Sequence, residues 1–157
     1  MQMITIKAKP KTIFGIILAV TGIAVILLTF IGNHTGSAPA AAQIKCSTAQ
    51  DRISYITSLG WQVEEGEEKK SIVIPSAFND VYNDYNDIQK SQGFDLENYK
   101  GKKAVLYSYS IKNYKGSDNV KADLIVYNGN LIGADLCDSD AQDGFLIALQ
   151  KNEDGQT

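Results

Sequence analysis

Hydrophobic positions change their spacing along this chain, and each change marks a boundary. Ile13 to Ile31 reads IFGIILAVTGIAVILLTFI, 19 residues without a charge. As a helix rising about 1.5 Å per residue it spans close to the ~30 Å hydrocarbon layer of a bilayer. From Thr48 the spacing becomes helical. Ala49, Ile53, Ile56 and Leu59 share a face, Thr48 and Asp51 resemble a capping box, and Gly60 is a stop, which predicts a helix over 48–59. Trp61 and Val63 suggest a short strand, Glu64 to Lys70 a solvated loop or turn, and SIVIP a second short strand. Ser76 is placed to cap a second helix whose apolar positions Phe78, Val81, Tyr82, Tyr85 and Ile88 keep the 3.6-residue period up to Gly93. Asp80, Asp84 and Asp87 form an acidic stripe on its other side, read as a solvated face.

From Lys103 the period shortens to two. Val105, Tyr107, Tyr109 and Ile111 alternate with Ala104, Leu106, Ser108 and Ser110. Val120, Ala122, Leu124 and Val126 repeat the pattern, Asn128-Gly129 is a strong hairpin signal, and Leu131 to Cys137 returns as the next strand. Ser139 or Asp140 is expected to cap a final helix carrying Phe145, Ala148 and Leu149, weakened by Gly144. The fold class implied is α+β: a three-stranded antiparallel meander plus short N-terminal strands, packed by two to three helices and preceded by one transmembrane helix. The organisation expected is a basic N-terminus (1–12), a transmembrane helix (13–31), a linker (32–46), one domain (47–151) and a disordered tail (152–157).

Charge adds direction. Lys7, Lys9 and Lys11 precede the apolar run and all 18 acidic residues follow it, so the N-terminus is expected in the cytoplasm and the domain outside it. Beyond the anchor the net charge is about −6, a poor match for nucleic acid or anionic lipid. Cleavage of a secretory signal after Ala40 or Ala42 is the alternative, disfavoured because signal h-regions are shorter than 19 residues. Gly15, Ala19 and Gly22 share one face of the anchor, a weak small-residue pairing pattern.

Candidate chemistry is sparse. Cys46 and Cys137 are the two cysteines, and an oxidising compartment makes a disulfide between them the natural expectation. The one histidine, His34, lies in the linker, so neither a nucleophile–histidine system nor a histidine–cysteine zinc site can be assembled in the domain. Asp138, Asp140 and Asp143 do not meet calcium-loop spacing and are read as capping residues. No catalytic, cofactor or metal residue is therefore assigned, and the domain is expected not to be an enzyme. Tyr107 and Tyr109 share a strand face and are the candidates for a ligand surface, with half-buried sheet packing as the competing role.

The segments RISYITSLGWQV, IVIPSAFNDVYNDYNDIQKSQGFDLENYKGK, LYSYSIKNY and LIVYNGNLIGADLCDSDAQDGF, from Arg52 through Phe145, resemble a bacterial membrane-anchored family described as domain of unknown function 4830. The resemblance implies an N-terminal anchor and a compact α+β domain, and it brings no activity, ligand or site residue with it. The function expected is a tethered extracytoplasmic binding or regulatory module whose partner is an envelope protein, a peptide or a glycan. The alternative is an assembly component acting through self-association.

Overall fold

β-branched and aromatic residues at alternate positions give the second half of the domain its ladders, and every strand pairs with its sequence neighbour. In the computed structural model, which describes residues 43–140 and 144–150, helix α1 (Ala49–Ser58) is followed by β1 (Glu68–Val73), helix α2 (Asp80–Lys90) and a 3-10 turn (Leu96–Tyr99). Strands β2 (Lys103–Ser110), β3 (Val120–Tyr127), β4 (Asn130–Asp138) and β5 (Phe145–Ala148) complete a five-stranded antiparallel sheet in the order β1-β2-β3-β4-β5.

Helices cover both faces. Tyr55 and Ile56 of α1 pack with Tyr107, Tyr109, Ala122, Leu124, Ala134 and Leu136 on one side. Tyr85 and Ile88 of α2, with Leu96, pack with Ala104, Leu106, Ile125 and Ile132 on the other. A sheet apolar on both faces must bury both, and this α/sheet/α arrangement does so.

The α1 capping box forms as its sequence implies. The Thr48 hydroxyl accepts from the Asp51 N–H at 3.1 Å, and the Asp51 carboxylate accepts from the Thr48 N–H at 2.9 Å. Asn128 and Gly129 both take positive φ, +49° and +78°, which a two-residue turn matched to sheet twist requires. The chain enters the domain beside this turn: the Cys46 N–H donates to the Gly129 carbonyl, and the Leu131 N–H to that of Ile44, each at 2.9 Å.

Several expectations are corrected. The final helix is instead β5, with Phe145 opposite Asp138 and Ala148 opposite Asp135. Four apolar residues are too few to show a period, and the open edge of β4 offers them a ladder. The expected three-stranded meander, β2-β3-β4, is present, and β1 and β5 extend it at its two edges. The segment Glu64 to Lys70 is only partly loop, because β1 starts at Glu68; its charged residues are those of an edge strand, where they discourage further pairing. Trp61 and Val63 make no strand, only the isolated bridge Val63–Ile111. The cap of α2 is Asn79, whose side chain accepts from the Tyr82 N–H, rather than Ser76.

The expected disulfide is also corrected, since both thiols are free and buried. Cys46 packs in the α1-side cluster, whereas strand alternation turns Cys137 to the α2 side, away from its neighbour Leu136. The sheet lies between them.

Among the described residues no helix is long and apolar enough to cross a membrane. The basic N-terminus, the apolar run 13–31, the linker's first eleven residues and the tail lie outside those residues.

Candidate functional site

Strand register aligns polar side chains under α2 where an apolar layer would be expected. Ser108, Asp123 and Asp135 occupy one row across β2, β3 and β4, and Ser110, Lys121 and Cys137 occupy the next. Asp123 and Asp135 are each only 1% exposed. The Cys137 thiol donates to Asp123 Oδ2 across 3.6 Å, and one oxygen of each carboxylate lies with Sγ inside a mutual distance of 4.8 Å. Ser108 also bonds Asp123. Asp123 Oδ1 and both oxygens of Asp135 have no hydrogen-bond partner.

Helix α2 supplies the roof. Tyr85 and Gln89, four residues apart and so on one face, are buried, and neither the Tyr85 hydroxyl nor the Gln89 amide has a partner. Tyr85 lies in the field of Asp135, Asp123 and Cys137, while Gln89 reaches over Gly133, where a Cβ would stand 3.3 Å from its Oε1. Of the eight buried side-chain polar atoms without a partner among the described residues, seven belong to this layer, counting the half-buried Tyr82 at its rim.

Burial governs the ionisation of this layer. It pushes the Asp123 carboxyl up to about 6, against the donors Ser108 and Cys137. Burial raises Asp135 well above the carboxylate range, with the charge of Asp123 adding to it, and lifts the Cys137 thiol in the same way. Two carboxyls and a thiol held together without solvent can share protons or accept a cation.

A polar concavity of about 450 Å³ opens at the edge of this layer, lined by Ser110, Asp118, Asn119, Lys121, Ser139 and Asp140. Ser110 and Lys121 stand in the same row as Cys137, so the concavity adjoins the buried cluster. Lys121 pairs with Glu68 of β1 at its rim.

On the opposite face Arg52 organises a second polar group. Its Nη1 donates to the Cys46 carbonyl at 3.0 Å, its Nη2 to Glu67 Oε2 at 2.7 Å and its Nε to the Tyr109 hydroxyl at 2.9 Å. The Tyr109 hydroxyl in turn donates to Glu67. The guanidinium carbon stands 3.6 Å from the centroid of the Tyr107 ring. Tyr107 and Tyr109 therefore do not form the open aromatic platform considered from the sequence; Arg52 covers one and binds the other. Cys46 sits beneath, where burial pushes its thiol up to about 12.

A family model described as Domain of unknown function (DUF4830) matches residues 55–136, just over half of the 157 residues. The chain belongs to this family. The DUF4830 match includes Tyr85, Gln89, Asp123 and Asp135 and stops one residue short of Cys137, while Arg52 and Cys46 precede it. No curated protein and no solved structure matches the chain.

The signal that would have found the buried cluster is a repeated tripeptide. Ala122-Asp123-Leu124 and Ala134-Asp135-Leu136 each place an aspartate inside an apolar strand, where this residue is depleted. Antiparallel register then sets the two aspartates opposite one another.

Proposed function

We propose that this DUF4830 protein is a single-pass membrane protein whose extracytoplasmic domain is a non-enzymatic binding module, docking a polar surface of an envelope protein at its membrane-distal end. The observation that carries this is the polarity of the sheet. The chain from the predicted anchor joins the domain beside the Asn128–Gly129 turn, and the concavity lies at the other end of the same strands. Eight residues of β3 separate the two, about 25 Å at the usual rise per residue. The module thus presents its concavity outward when tethered at the turn. The lining favours a protein partner over a sugar: its described residues, serine, asparagine, aspartate and lysine, offer donors and acceptors but no aromatic ring for a sugar face.

Two measurements test the proposal. Protease added to spheroplasts removes the domain if it is extracytoplasmic; protection until lysis overturns the topology. A photo-crosslinking residue at Asn119 in the full-length chain then captures a discrete envelope partner, whereas one at Gln50 on α1 does not. Equal capture from both positions, or none from Asn119, overturns the docking face.

A further inference from the structure

We propose that Asp123, Asp135 and Cys137 form a binding site for a divalent transition-metal ion of the zinc class, with its open coordination position facing Tyr85. The donor set fits that chemistry. Zinc takes thiolate sulfur at about 2.3 Å and carboxylate oxygen at about 2.0–2.2 Å, so a tetrahedral site has sulfur–oxygen edges of about 3.5 Å. The Cys137 Sγ to Asp123 Oδ2 separation is 3.6 Å, and the remaining edges lie within 4.8 Å. Completing the set draws Asp135 inward by about 1 Å, and its two oxygens have no other bond to break. Hard cations fit worse, since calcium and magnesium require six or more oxygen ligands.

Tyr85 is the independent observation. Its hydroxyl belongs to a side chain 1% exposed, has no hydrogen-bond partner, and lies within the electrostatic reach of all three ligands. A buried hydroxyl left unmatched carries a desolvation cost that a metal-bound water, or the metal itself, would remove. The adjoining concavity gives the ion a route past Lys121, whose ammonium is held aside by Glu68. Binding releases the Cys137 thiol proton and any carboxyl proton to solvent, and the ion's charge then offsets two of the three negative charges of the thiolate and carboxylates. This inference does not depend on the docking face, and crosslinking at Asn119 leaves it untouched.

The test is cobalt titration of the full-length protein in detergent, stripped with a chelator and dialysed at neutral pH. The expected result is one cobalt per chain, with the near-ultraviolet band of thiolate-to-cobalt charge transfer and the visible bands of tetrahedral coordination, both erased by zinc. Cys137→Ser abolishes the charge-transfer band, Cys46→Ser retains it, and Asp135→Asn weakens cobalt binding at least tenfold. Trp61 fluorescence confirms that each variant is folded. Should Cys137→Ser fail to fold, Cys137→Ala and Asp123→Asn replace it, read by whether zinc raises the thermal midpoint as in the wild type. A folded wild-type protein that gives no band at excess cobalt, or a band surviving in full without Cys137, overturns the proposal.

Discussion

Asp123 and Asp135 stand directly opposite one another on β3 and β4, both almost completely buried, with a hydrogen-bond donor only on Asp123. Like charges facing across a strand pair repel, and removal from water magnifies the repulsion. The pair is therefore a cost to the fold unless protons or a cation occupy it.

Asp135→Asn in chelator-treated protein removes the cost of keeping that carboxyl buried and protonated, while keeping shape and volume. We expect a gain of about 1 kcal/mol, or roughly 4–8 °C in thermal midpoint for a domain of this size. With zinc added the order reverses, because the wild type gains binding energy that the variant lacks. Thermal melts with and without zinc check both signs. A variant less stable than wild type in chelator would show that the carboxylate has a structural partner.

Glu67 gives a pH dependence of known sign. Burial pushes its carboxyl up, but hydrogen bonds from Tyr109 and Arg52 outweigh this and hold it below its ordinary 4.5. A folded-state value below the unfolded one means stabilisation that is complete above about 4.5 and lost as pH falls through the folded value. Glu67→Gln should thus cost stability at neutral pH, and the cost should shrink as acid is added. Breaking the Arg52 side instead, with Arg52→Ala, should cost about 3 kcal/mol at neutral pH. Urea titrations of both variants across pH test this; a Glu67→Gln penalty that grows in acid contradicts it.

The sheet between Cys46 and Cys137 predicts thiol behaviour. Dithiothreitol should leave the thermal midpoint unchanged, and a thiol reagent should report two thiols per chain only after denaturant is added. Both groups are buried and their thiols are raised, so the reactive thiolate is scarce in the folded protein. A midpoint that falls on reduction would require a bridge and a different path for the β4 strand.

Legibility in the sequence followed periodicity. Helix α1, β2, β3, β4 and the Asn128–Gly129 turn stood out because each carries a full period or a turn with its own stereochemistry. Strand β1 was legible only in its second half, where SIVIP marks it, because its first residues are the charges of a sheet edge, and β5 was not legible, since four apolar residues carry no period. The buried cluster was hidden for another reason. Asp123, Asp135 and Cys137 come together only through register between strands, and register depends not only on the legible turn but on the bulge between Ile125 and Val126, which no single segment announces. Arg52 was hidden likewise: on a helix face it reads as solvated, and only Glu67, Tyr109 and the Cys46 carbonyl, from three separate segments, make its burial tolerable.

Gly129 joins the turn to the incoming chain, and its substitution separates two physical effects. Its φ of +78° is a conformation that disfavours any Cβ, at roughly 1 kcal/mol. A Cβ there would also lie 2.5 Å from Ser47 Oγ, the hydroxyl that donates to the Gly129 carbonyl at 3.2 Å. Gly129→Ala must therefore strain the turn and expel the hydroxyl, for a total of about 2 kcal/mol. In the Ser47→Ala background the hydroxyl is already gone, so Gly129→Ala should cost only the conformational part. A double-mutant cycle by urea denaturation should yield a coupling of about 1 kcal/mol between positions 47 and 129. Strict additivity would mean that Ser47 swings aside freely, and that the turn alone, not its contact with the incoming chain, requires glycine.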